Sequence, residues 1–114
     1  MTKHNTPESF EKDRERLNNV VMKYAGKNVK RFFNLDNAVY NDGVLSGKMK
    51  EMLGLVASLV MRCDDCIKYH LSQCHKNGVS SEELEEVISI GLIVGGSITI
   101  PHIRKALEYW EELS

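Results

Sequence analysis

Apolar residues recur every three or four positions along most of the chain, and that spacing predicts a succession of helices. Phe10, Leu17, Val20, Val21 and Tyr24 trace the first, opened by Thr6 with Pro7 in the first turn and closed near Gly26. A shorter helix is expected from Lys30 to Tyr40, ending in Asn41-Asp42-Gly43. No alternating pattern flanks that Asp-Gly, so it reads as a helix-to-helix turn rather than a hairpin. Ser46 caps a third helix, whose stripe Met49, Met52, Leu53, Val56, Leu59 and Val60 is expected to face the core. A fourth ends at Asn77-Gly78. The capping box from Ser80 to Glu83 opens a fifth, running through Leu84, Val87, Ile88, Gly91, Leu92 and Gly95. Ser97 to Ile100 is rich in β-branched residues, but a lone strand has no partner. It is therefore read as the end of that helix plus a linker to a last one begun at Pro101, with Ile103, Ala106, Leu107 and Trp110 inward. The expected fold class is all-α, a single-domain helical bundle.

Composition narrows the picture. With 114 residues there is room for one domain, and 42% apolar against 27% charged residues provides for a core and excludes a disordered tail. A domain this small leaves about a third of its unfolded surface uncovered, so self-association is a natural supplement. The formal net charge of -1 argues against gripping nucleic acid or an anionic membrane. No apolar run reaches the roughly 18 residues of a membrane span. Met1-Thr2-Lys3-His4-Asn5 leads into charged residues rather than a signal-peptide core. A cytoplasmic location is expected, where paired cysteines mean redox chemistry or metal binding.

The chemistry concentrates in Cys63-Asp64-Asp65-Cys66-Ile67-Lys68-Tyr69-His70. On a helix, Cys63, Cys66 and His70 share one face. A disulfide needs Cβ atoms about 3.8 Å apart, closer than a regular i,i+3 pair, so a break is expected near Met61-Arg62 with Cys63 opening a new helix. Unpaired N–H groups there stabilise a thiolate. Asp64 and Asp65 act both as ordinary first-turn acids and as charges opposing that thiolate. Competing readings stay open: cysteines inert in the core, or zinc on Cys63, Cys66, His70 and Cys74. The latter would string three donors along one helical stripe. Cys74 is read as a packing residue and His75 as exposed. Haem attachment would need a histidine where Ile67 stands.

A cysteine nucleophile needs a proton acceptor, and His70 is the candidate. Glu51 lies about eleven residues before the expected reversal and His70 about eight after it. At 1.5 Å per residue they are offset by about 4–5 Å, within side-chain reach. A Glu51–His70–Cys66 relay is geometrically open. So is the plainer reading of Glu51 as a surface acid paired with a nearby lysine.

Leu45-Ser46-Gly47-Lys48-Met49-Lys50-Glu51, the apolar run to Val60, Cys63-Asp64-Asp65-Cys66 with His70, Asn77-Gly78-Val79 and Ser81-Glu82-Glu83-Leu84 resemble the carboxymuconolactone decarboxylase family. The closer resemblance is to its alkylhydroperoxidase D-like branch. It covers roughly residues 30–110 and leaves 1–29 as an N-terminal helical extension. The resemblance implies an all-helical fold assembled as homo-trimers or homo-hexamers. It also implies a peroxide-attacking Cys66, a resolving Cys63, and a relay of His70 and Glu51. Implied partners are a hydroperoxide substrate and a dithiol or lipoyl-type reductant; no cofactor or metal is expected. Asp65 departs from the pattern, since the branch often has histidine there, and this bears on peroxidase efficiency. Two other readings accompany the peroxidase: an enzyme acting on a small cyclic acid, and a non-catalytic structural or zinc-binding oligomer.

Overall fold

The computed structural model describes residues 6–114, in six α-helices and one short 3-10 turn with no strand among them. They are α1 (Pro7–Tyr24), α2 (Lys27–Val39), α3 (Gly47–Val60), α4 (Asp64–Lys76), α5 (Ser81–Gly95), the 3-10 turn Ser97–Thr99, and α6 (Ile100–Leu113). The all-α expectation holds. The caps lie where their chemistry predicts. Thr6 accepts from Ser9 N–H, Ser46 from Met49 N–H, and Ser80 and Glu83 close a full capping box.

Helices α3 to α6 enclose the core. Leu55 and Leu59 of α3 meet Ile67, Leu71 and Cys74 of α4, Leu84 and Ile88 of α5, and Ala106, Tyr109 and Trp110 of α6. The polar atoms of the two large aromatics are satisfied: Tyr109 shares a hydrogen bond with Ser72 at 2.8 Å, and Trp110 Nε1 donates to Ser81 Oγ at 3.0 Å. Gly91 lets α5 approach α3, because a Cβ there would lie 2.6 Å from Leu59 Cδ2. α1 joins the body through Phe10, edge-on to Tyr109 at 5.9 Å between ring centres. Neither α1 nor α2 buries a residue completely.

Several expectations need correcting. Ala25, not Gly26, caps α1, and Gly26 instead opens α2 at Lys27 rather than Lys30. Leu17, Val20, Val21 and Tyr24 are exposed. On α3 the buried face carries Glu51, Leu55, Ser58 and Leu59, while Met49 and Leu53 of the expected stripe are exposed. α3 is apolar on more than one side, and periodicity alone cannot choose which side the neighbouring helices cover. The same ambiguity leaves Leu92 and Leu107 outward, with Tyr109 taking the inward place on α6. The linker from Ser97 is the 3-10 turn.

Candidate redox site at the start of α4

The site is built by a chain reversal. α3 ends at Val60, and Arg62 adopts φ 60°, the left-handed conformation that turns the chain. Cys63 N–H returns to Ser58 O at 3.1 Å, and Cys63 becomes the N-cap of α4. Its sulfur takes the place of the usual serine oxygen, accepting the Cys66 N–H at 3.3 Å. The break expected near Met61-Arg62 is therefore present. Cys63 and Cys66 form a disulfide, with their Cα atoms 5.3 Å apart.

Beside Cys66 opens a cavity of about 750 Å³. Its floor is α4, with Asp65, Cys66, Tyr69 and His70, and its far wall is α1, with Phe10, Arg14 and Leu17. Asp36 of α2 also lines it. The Arg14 guanidinium lies over the Tyr69 ring, 4.1 Å from its centre, and fastens α1 to α4.

Behind the cavity, His70 Nδ1 and Glu51 Oε1 are 2.8 Å apart, both groups being buried. The carboxylate accepts from Nδ1–H, which leaves Nε2 as the nitrogen able to exchange a proton. The surface-acid reading of Glu51 fails, since Glu51 is 5% exposed and bonded to His70. Tyr40 and Tyr69 flank the imidazole, each with its ring centre 5.3 Å away. Burial, reinforced by the Glu51 carboxylate, pushes both phenols above their ordinary value, so they stay protonated. Gly54 makes this arrangement possible. A Cβ there would stand 2.7 Å from His70 Cε1 and 2.9 Å from the Tyr40 hydroxyl.

The zinc set is dispersed. Cys63 and Cys66 are bonded to each other, His70 to Glu51, and Cys74 lies wholly buried in the core. Burial, with a smaller contribution from Glu51, pushes the Cys74 thiol up to about 12. Among the described residues no three His, Cys, Asp or Glu side chains are grouped to hold a metal ion. No helix among them is long and apolar enough to cross a membrane.

The sequence profile of the carboxymuconolactone decarboxylase family matches residues 27–111. The chain belongs to this family. Among solved family structures, a Thermotoga maritima protein is 54% identical and overlays with a TM-score of 0.91 over 93% of each chain. A second crystal structure of that same protein, described there as a family member with a suggested part in the antioxidative response, is 55% identical. It overlays with a TM-score of 0.85 over 91% of this chain and 88% of that one. A Legionella pneumophila family protein in its apo form is 26% identical, with a TM-score of 0.84 over 93% of this chain and 95% of its own. An uncharacterised protein of Cupriavidus necator is 32% identical over 77 residues, 68% of each chain. The wall supplied by α1 lies before the matched segment of this family member.

Motif and spacing in the sequence do not single out Tyr40, Tyr69, Gly54 or Arg14. Gly54 carried a readable signal, because a glycine inside a helix, three residues after Glu51, marks close approach of another group. Tyr69 adjoins His70 in sequence. Arg14 and Tyr40 reach the site only through tertiary packing and left no local signal.

Proposed function

We propose that the protein is a thiol–disulfide oxidoreductase that reduces hydroperoxides at Cys66. One observation carries this reading. A disulfide-bonded cysteine pair opens a helix, and Cys66 shares a cavity with an imidazole oriented by a buried carboxylate. Such a set contains a nucleophile, a base and an orienting group. Cys66 lines the cavity, whereas Cys63 does not.

In the reduced protein His70 Nε2 accepts the Cys66 proton, directly or through water. The thiolate attacks the terminal oxygen of ROOH, the O–O bond breaks, and the departing alkoxide takes up the proton as ROH. Cys66 is then a sulfenic acid. Cys63 attacks that sulfur, water leaves, and the disulfide forms. A dithiol such as a reduced lipoyl group exchanges with it, becoming a cyclic disulfide and restoring both thiols. The reducing cytoplasm supplies such donors. Asp65, in the same cavity, opposes thiolate formation and makes this a slower peroxidase than one with histidine there.

A homo-trimer or homo-hexamer accounts for the apolar side chains left outward. Phe32 of α2 is 66% and Ile93 of α5 82% exposed, with Leu35, Leu53 and Val94 likewise uncovered. Light scattering on the purified protein should return three or six times the chain mass.

The functional test is consumption of an organic hydroperoxide with reduced lipoamide as donor. Turnover by the parent protein and its loss in Cys66→Ser are expected. Full turnover by Cys66→Ser refutes the assignment.

A further inference from the structure

Asp64 follows Cys63 directly, between the two thiols, so its carboxylate opposes their ionisation. That charge is answered from outside the motif. His102 Nδ1 donates to Asp64 Oδ1 at 2.7 Å and Lys105 Nζ donates to Oδ2 at 3.2 Å. Both come from the first half of α6, 38 and 41 positions downstream, and each takes one oxygen of the carboxylate. Burial by itself pushes the Asp64 carboxyl up. The hydrogen bonds from His102 and Lys105, together with their charges, outweigh it and hold the group below its ordinary value.

The other charges near the pair are arranged differently. On the cavity side stand Asp65, Asp36 and Arg14, and Asp13 at its rim is bound by Arg16. His70 is answered by Glu51 of α3. Asp64 is instead bonded to α6, and Arg62, exposed and adjacent to Cys63 in sequence, is the basic residue on the chain's approach to the pair.

We propose that His102 and Lys105 are positioning residues for the cysteine pair: by holding Asp64 against α6 they offset its charge and make the reduced thiols easier to ionise. α6 thereby sets the redox poise of a segment 38 positions away. A stabilised thiolate favours the reduced form, so the disulfide becomes more oxidising and accepts electrons from a dithiol more readily. The inference rests on the pair being redox-active, as proposed above. It is read from thiol ionisation, however, so absence of peroxide turnover and failure of this inference are separate results.

The test is an ultraviolet thiolate titration of the fully reduced protein, paired with equilibration of the disulfide against a glutathione redox buffer. Cys74, pushed up to about 12, stays silent through the useful range. In His102→Gln/Lys105→Met the first thiol to ionise should rise by about one pH unit, and the reduction potential should fall. In an Asp64→Asn background the same pair of substitutions should produce less than half that rise, because no carboxylate remains to be released. A rise at least half as large in that background overturns the proposal, and so does an unchanged pH profile in the parent background. Lys105→Met alone alters a largely exposed side chain and tests the idea even if the double variant does not fold. It should shift the profile in the same direction, and no shift counts against the proposal.

Discussion

Glu51 Oε1 and His70 Nδ1 meet at 2.8 Å from neighbouring helices, 19 positions apart in sequence and both nearly closed to water. A buried carboxylate without a donor would be costly, and a buried imidazole without an acceptor would have no defined tautomer. Each residue therefore makes the other tenable. Together they fix which histidine nitrogen is available for proton exchange.

Glu51→Gln keeps the shape of that contact and removes its charge. Reaction of the reduced protein with cumene hydroperoxide, followed by intrinsic fluorescence, should slow on the order of 10- to 100-fold with helical content unchanged. Glu51→Ala should add a stability loss of about 1–3 kcal/mol, from the hydrogen-bonding group of His70 left unmatched. An unchanged oxidation rate in Glu51→Gln would remove the pair from the mechanism.

Gly54→Ala tests whether the ring position matters. The added methyl would lie 2.7 Å from His70 Cε1 and 2.9 Å from the Tyr40 hydroxyl, so at least one must move. The strain should lower stability by about 1–3 kcal/mol and slow thiol oxidation. Thermal unfolding and the same fluorescence assay read the two effects. Parent-like values in both would mean that the helices separate without cost.

Cys74 should be chemically silent. It is 0% exposed, and burial keeps its thiol protonated to about pH 12. A disulfide-exchange reagent at neutral pH should count two thiols in the native reduced protein and a third only after unfolding. A third thiol reacting at the rate of the other two contradicts this placement.

Acid should release Asp64. Although burial pushes its carboxyl up, the bonds to His102 and Lys105 hold it lower in the folded chain than in the unfolded one. The tie therefore contributes stability above about pH 4 and loses it as the pH falls through the folded value. In denaturant titrations Asp64→Asn should be less stable than the parent near pH 6, and the difference should shrink as the pH falls through the folded carboxyl's lowered value. A difference that does not vary with pH would show that the tie is not ionic.

What was legible in the sequence was local. Pro7, Ser46 and the Ser80–Glu83 box announce helix starts through side-chain chemistry a few residues long. The turn before Cys63 follows from what a Cys-x-x-Cys needs to close, and Glu51 was reachable by counting residues on either side of it. What escaped is what tertiary packing decides. α3 offers more than one apolar face, so spacing alone points Met49 and Leu53 inward and does not single out the buried Leu55. α1 looked like an amphipathic helix with a core face. Yet it is tied to the body through Phe10 on Tyr109 and Arg14 on Tyr69, and Arg14 and Leu17 wall the cavity. His102 and Asp64 are 38 positions apart, with nothing local in either to name the other.

Peroxide attack by Cys66 is tested by treating reduced Cys63→Ser with one equivalent of organic hydroperoxide and a sulfenic-acid-trapping dione, then mapping the adduct by mass spectrometry. Without the resolving thiol, one adduct is expected, on Cys66, and none on Cys74. A protein that leaves the peroxide intact, or carries its adduct elsewhere, would contradict that role for Cys66.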